Sequence, residues 1–79
     1  MATIKELDVT GVQCPMPLVQ LNRTIQELDP GDELVVTADD PVFHLDIQAW
    51  CERTGHLLVE LRADGETHTA VIRKRDPSA

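Results

Sequence analysis

The chain is short of aromatic side chains, of basic ones and of cysteine, and each scarcity narrows what it can do. Aromatics are 3% of the residues, Phe43 and Trp50 alone, so a core must be assembled mainly from Leu, Val and Ile. Seven Lys and Arg stand against fourteen Asp and Glu, a formal charge of −7. A field of that sign repels phosphate backbones, whereas nucleic-acid binders ordinarily show a basic stripe. The one basic cluster, Arg73-Lys74-Arg75, lies beside the C-terminus and reads as a frayed, solvated tail. Direct RNA or DNA binding is therefore not expected. No run is long enough to cross a bilayer, and Met1 to Leu7 does not resemble a signal peptide. The expectation is a cytoplasmic chain away from membranes, with its two cysteines, Cys14 and Cys51, as free thiols rather than a staple.

What is present suits one small folded unit. The 79 residues, 42% of them hydrophobic, allow a single domain over residues 1–79 with an ordered core from about residue 3 to 75. Thr3 to Val9 alternates, with Lys5, Leu7 and Val9 on one face, and reads as a half-buried strand. Thr10 to Cys14 reads as a loop. Pro17 suits the first position of a helix, where its missing N–H costs nothing, and Leu18, Leu21, Ile25 and Leu28 then form one apolar stripe. Asp29-Pro30-Gly31-Asp32 ends that helix, and Glu33 to Ala38 comes next as an inner strand.

Asp39-Asp40-Pro41 supplies an acidic cap and a proline for a second helix, whose Phe43, Ile47, Trp50 and Thr54 share a face before Gly55 stops it. Leu57, Val59 and Leu61 alternate as a strand with one wet face. Asp64-Gly65 signals a hairpin, and Thr67 to Arg73 returns as the last strand. The order is β-α-β-α-β-β. Crossover helices join strands of parallel sense and the final hairpin is antiparallel. The expected fold is α+β: a two-layer α/β sandwich, a four-stranded mixed sheet with both helices on one face.

Chemistry concentrates in Val12-Gln13-Cys14-Pro15-Met16-Pro17, at a strand-to-helix junction. A thiolate at a helix N-terminus is favoured by the positive end of the macrodipole and by unpaired backbone N–H groups. Pro15 and Pro17 stiffen the segment. The position where a Cys-x-x-Cys reductase keeps its resolving thiol is Pro17 here, and the nearest histidine in sequence is His44. A thiolate with neither resolving thiol nor base suits sulfur–sulfur exchange, which needs nucleophilicity and access.

Cys14-Pro15-Met16-Pro17 resembles the Cys-Pro-x-Pro motif of the TusA (SirA-like) sulfur-carrier family. The resemblance runs from Lys5 to Arg75, through Leu7-Asp8, Gly11, Pro30-Gly31, Ala38-Asp39-Asp40-Pro41, Asp46-Ile47, Trp50-Cys51 and Ile72-Arg73-Lys74. It implies the same β-α-β-α-β-β order and a carrier that takes sulfane sulfur onto Cys14 as a persulfide. The donor would be a cysteine desulfurase or a rhodanese-like protein. The acceptor would be a protein serving tRNA 2-thiouridine formation, molybdenum-cofactor supply or sulfur oxidation. Such a carrier works only through protein partners and needs no oligomer, so a monomer is expected. Met16, Val19 and Arg23 are the expected docking residues beside the thiol. One departure is that relatives often carry more positive charge on this helix than the single Arg23.

Other constellations have plainer readings. Cys51 sits at the edge of the second helix's apolar face and reads as core. Two cysteines and three scattered histidines do not make a four-ligand structural zinc site, and no glycine pattern cradles phosphate, so neither metal nor cofactor is expected. Asp39 and Asp40 read as a cap rather than an acid–base pair. His56 and His68 read as solvent-facing residues at strand ends. Two rival functions remain open at the level of sequence: an interaction or regulatory module whose motif is only a rigid turn, and a thiol-redox sensor pairing Cys14 with Cys51.

Overall fold

The computed structural model describes residues 3–11 and 16–76. Six elements run in the expected order: β1 Ile4–Asp8, α1 Met16–Gln26, β2 Glu33–Ala38, α2 Phe43–Thr54, β3 Leu57–Asp64 and β4 Thr67–Arg73. The strands lie in the order β1-β2-β4-β3. β1 runs parallel to β2, and β4 is antiparallel to both β2 and β3. The sheet is therefore mixed.

One face of the sheet carries the core. Leu34, Val36 and Ala38 of β2 meet Ala70 and Ile72 of β4 and Val9 beyond β1, all fully buried. Leu21 and Ile25 of α1 and Phe43, Ile47, Trp50 and Cys51 of α2 close over them. Both helices thus cover the same face, because each presents a single apolar stripe to be buried. α1 ends at Gln26, so Leu28 belongs to the turn after it, yet it is still buried at 7% exposure.

The third strand corrects the expected alternation. Leu58 is opposite Ile72, but Glu60 is opposite Val71, so Val59 is an extra residue in β3. A bulge of this kind reverses the facing of the residues beyond it. Leu58 and Leu61 pack against the core, while Leu57 and Val59 are left 53% and 45% exposed. The hairpin also turns one residue later than expected, through Gly65-Glu66, with Asp64 opposite Thr67.

The basic tail is not frayed. The Lys74 N–H donates to the Asp32 carbonyl at 2.9 Å, and the Gly31 N–H donates to the Lys74 carbonyl at 3.0 Å. Lys74 Nζ donates to the Leu28 carbonyl just past α1, where a cation also complements the helix dipole. Arg73 pairs with Glu33 across the β2–β4 ladder at 2.8 Å, and the Arg75 N–H donates to His56 Nδ1 at 3.0 Å. His56 is likewise not a free surface residue: its ring stacks on Trp50 at 5.2 Å. Burial, then the charges of Arg75 and Lys74, hold its pKa below the usual histidine value.

Asp32, which reads from sequence as turn material, joins three segments. Its side chain accepts the Thr3 N–H at 2.8 Å and the Asp29 N–H at 3.0 Å. Those two backbone bonds hold its carboxyl below the usual 3.8.

Candidate functional site

The segment singled out by sequence joins the end of β1 to the start of α1, and the structure fixes both attachments. The Val9 N–H extends the β1–β2 ladder onto the Thr37 carbonyl at 2.8 Å. The chain then turns. Asp8 Oδ1 accepts the Thr10 N–H at 2.9 Å and the Thr10 hydroxyl at 2.7 Å, the side-chain-to-backbone turn that aspartate favours. Both bonds lower the Asp8 pKa. Gly11 comes next at φ +80°, a left-handed conformation that glycine adopts without penalty, and its N–H donates to Asp39 Oδ1 at 2.9 Å.

Asp39 is thus a tether between the ends of β1 and β2, not a helix cap. Asp40 accepts the Val42 N–H at 2.9 Å, and α2 begins at Phe43 with Val42 in the capping position and no side-chain cap bond. The acidic pair is therefore divided between two jobs, only one of them at the helix start. Nothing local in the sequence signals the Asp39 bond, which links residues 28 positions apart.

Cys14 and Pro15 lie outside the described residues, as do the side chains of Met16 and Pro17. The backbone of α1 starts at Met16, so Pro17 is its second residue rather than its first. Its absent N–H still falls among the four that no helix uses internally. The first turn of α1 contains no acidic residue, so no carboxylate on it offsets the positive end of the helix dipole. Val19 is 42% exposed, and Arg23 is exposed in the last turn.

Two histidines stand at the same end of the sheet. His44 lies in the first turn of α2, and His68 is opposite Ala38, the last residue of β2. Their rings stack at 5.0 Å with 24° between planes, so His68 has a partner that sequence distance concealed. His44 Nδ1 is buried with no hydrogen-bond partner among the described residues. Stacked rings do not aim their nitrogens at a common ion, and among the described residues no group of three or more His, Cys, Asp or Glu side chains is placed to hold a metal.

Cys51 is at the buried edge of α2 that its spacing predicts, 6% exposed. Burial pushes its thiol up to about 11, so it is protonated and unreactive at neutral pH. It also lies eight residues along α2, roughly 12 Å by helical rise from the end at which the Cys14 segment is attached. No helix among the described residues is long and apolar enough to cross a membrane.

Comparison with known proteins agrees with this architecture. The family model described as "Sulfurtransferase TusA" matches residues 5–74. The SirA-like protein of Desulfitobacterium hafniense, solved by crystallography, superposes with a TM-score of 0.78. It is 22% identical, and the match covers 91% of this chain and 99% of that one, a likeness of fold. With the strand-to-helix junction, the paired sheet order and the family match in agreement over nearly its whole length, the chain belongs to the TusA family.

Proposed function

We propose that this chain is a sulfur carrier in which Cys14 holds the cargo as a persulfide. The observation that carries the reading is membership of the sulfurtransferase family over residues 5–74, which spans the Cys14-Pro15-Met16-Pro17 motif. The attachment of that motif supports it. β1 ends in a turn held by Asp8 and Asp39, and α1 opens with no acidic residue in its first turn, so the positive end of its dipole favours an anion.

The transfer is a two-electron exchange with no outside oxidant. The Cys14 thiolate attacks the terminal sulfur of a donor persulfide, R–S–SH. The donor S–S bond breaks, a new one forms to Cys14, and the donor leaves as its thiolate. The proton of the Cys14 thiol goes to solvent, and the terminal sulfur stays at the same oxidation level. Unloading repeats the step with an acceptor thiolate as nucleophile.

Within this reading Pro15 and Pro17 restrict the motif, and Met16, Val19 and Arg23 form ground on which a partner docks. The donor is a cysteine desulfurase or a rhodanese-like protein, and the acceptor is a protein of tRNA thiolation, molybdenum-cofactor supply or sulfur oxidation. The carrier acts as a cytoplasmic monomer and touches nucleic acid only through partners. No cofactor or metal takes part. Cys51, buried and protonated, has no share in the exchange.

Incubation with a cysteine desulfurase and cysteine tests the proposal by intact mass. One added sulfur is expected on the native chain and none on Cys14→Ser. Sulfur on Cys51, or uptake by Cys14→Ser, would sink the assignment.

A further inference from the structure

The end of the sheet to which the Cys14 segment is attached combines two features. The first is apolar exposure. Val42 and Leu45, three residues apart at the start of α2, are 46% and 58% exposed, and Val19, in the opening of α1, is 42% exposed. A lone exposed apolar residue means little. Of the six large hydrophobics exposed among the described residues, these three stand where both helices begin, while Ile4 and Leu57 lie at the opposite end of the sheet beside the Glu33–Arg73 pair.

The second is charge. β1 ends in Asp8, β2 runs into Asp39 and Asp40, α2 carries Asp46 in its first turn, and the β3–β4 hairpin carries Asp64 and Glu66. Among the described residues the one Lys or Arg at this end is Arg62, level with Asp8 across the sheet and paired with Glu60 at 3.6 Å, and residues 12–15 add no basic residue by sequence. Arg23 stands further off, in the last turn of α1.

We propose that this end, with Val42 and Leu45 at its apolar centre, is the docking face for the protein that loads Cys14, and that the loading protein presents Lys and Arg side chains around an apolar contact. The inference rests on the sulfur-carrier reading above and names the chemistry of the partner. Charge selects the occupant. A second copy of the chain would set six carboxylates against six, and nucleic acid or an anionic lipid surface would be repelled. A basic protein face is attracted, steered at distances up to the screening length of about 8–10 Å, and then held by the apolar contact.

The test compares two ways of loading Cys14, each tracked by mass spectrometry over time. One uses the cysteine desulfurases and rhodanese-type sulfurtransferases of the source organism. The other uses inorganic polysulfide, a small anion that needs no docking face, as the reference for each variant. Protein loading of the native chain is expected to slow by about tenfold between 0.05 and 0.5 M salt. Leu45→Ser and Val42→Ser should each lower the ratio of protein to polysulfide loading by about five- to tenfold, the loss typical of a central contact. Glu66→Lys should lower the same ratio and flatten its salt dependence.

Protein loading that is indifferent to salt, or faster with it, overturns the proposal. So does a native ratio in both Leu45→Ser and Glu66→Lys, or a Cys14 that polysulfide loads and none of these proteins does. A Cys14 that takes sulfur from neither source instead refutes the carrier reading itself, and this inference with it.

Discussion

At one end of the sheet Lys74, Asp32 and His56 knot the chain together. Thr3, Asp29, Gly31 and Arg75 are all joined to them through backbone hydrogen bonds. At the other end Asp8 and Asp39 each hold a short stretch of backbone, Thr10 and Gly11, on the path to Cys14. Six of the seven basic residues, Lys5, Arg23, Arg53, Arg73, Lys74 and Arg75, lie toward the knotted end, whereas the other has six carboxylates and, among the described residues, a single Arg62 paired with Glu60. The difference separates anchoring from chemistry. Charges of both signs spent on carbonyls, N–H groups and ion pairs hold segments together. Charges of one sign gathered beside exposed apolar groups make a surface that attracts another molecule.

The largest way to break the comparison is to damage what the two ends share. Ile47 is fully buried between them, and Ile47→Ala should cost about 2–5 kcal/mol, read as a lower urea midpoint with the slope unchanged. If sulfur uptake under folding conditions falls as well, the core is not a neutral platform for the two ends.

A matched pair of glycines sharpens the contrast. Gly55 has φ +83° and Gly11 φ +80°, so alanine at either costs about 1–2 kcal/mol in the left-handed region. At Gly55 the new methyl group would also meet Arg75 Cδ and Nη1 at 3.3 Å, while at Gly11 nothing lies within 4 Å. Gly55→Ala should therefore be the less stable variant by thermal melting, and Gly11→Ala the one that takes up sulfur more slowly. Equal effects on both measurements would erase the division.

Thiol labelling gives an all-or-none readout of smaller energetic weight. Iodoacetamide at pH 8 should modify Cys14 and leave Cys51 untouched until the chain unfolds. The folded pKa of Cys51, about 11, lies above its ordinary 9.0. Its contribution to stability is complete below pH 9 and is lost as pH rises toward 11, because the unfolded chain ionises first. Labelling of Cys51 in the folded chain at pH 8 would overturn this placement.

The gentlest test is acid. Asp32 is held below its ordinary 3.8 by the Thr3 and Asp29 N–H groups. Its folded value is depressed, so its stabilisation is present above about pH 4 and is lost as pH falls through the folded value. Asp32→Asn should unfold at lower urea than the native chain at pH 7, and the gap should narrow as pH falls below about 4. Asp8→Asn, at the other end, should show the same sign with a smaller gap, since Asp8 holds only its own turn.

Much of the fold is legible in the residues because it depends on near neighbours. Leu21 and Ile25 recur at helical spacing, Leu34, Val36 and Ala38 alternate, and Gly55 ends α2 with its N–H on the Cys51 carbonyl at 2.8 Å. The bulge at Val59 is not legible: Leu57, Val59 and Leu61 alternate as well on paper as any true strand, and only pairing with β4 shows which of them the core accepts. Of the candidate site, sequence supplies the motif and the inert role of Cys51. It misses the Asp39 tether, the His44–His68 stack and the anchoring of Arg73 to Arg75, all of which join residues far apart in the chain.

By itself, then, the sequence determined the order of elements, the residues that turn inward on each helix, and the cysteine at the strand-to-helix junction, since local sterics and hydrophobic period settle these within a few residues. Only the tertiary structure decided which carboxylates serve as anchors and which gather at the Cys14 end, and which of the apolar residues of β3 stay wet. Those outcomes belong to segments meeting across the sheet, where the partner of a side chain is fixed by register and not by its neighbours in the chain.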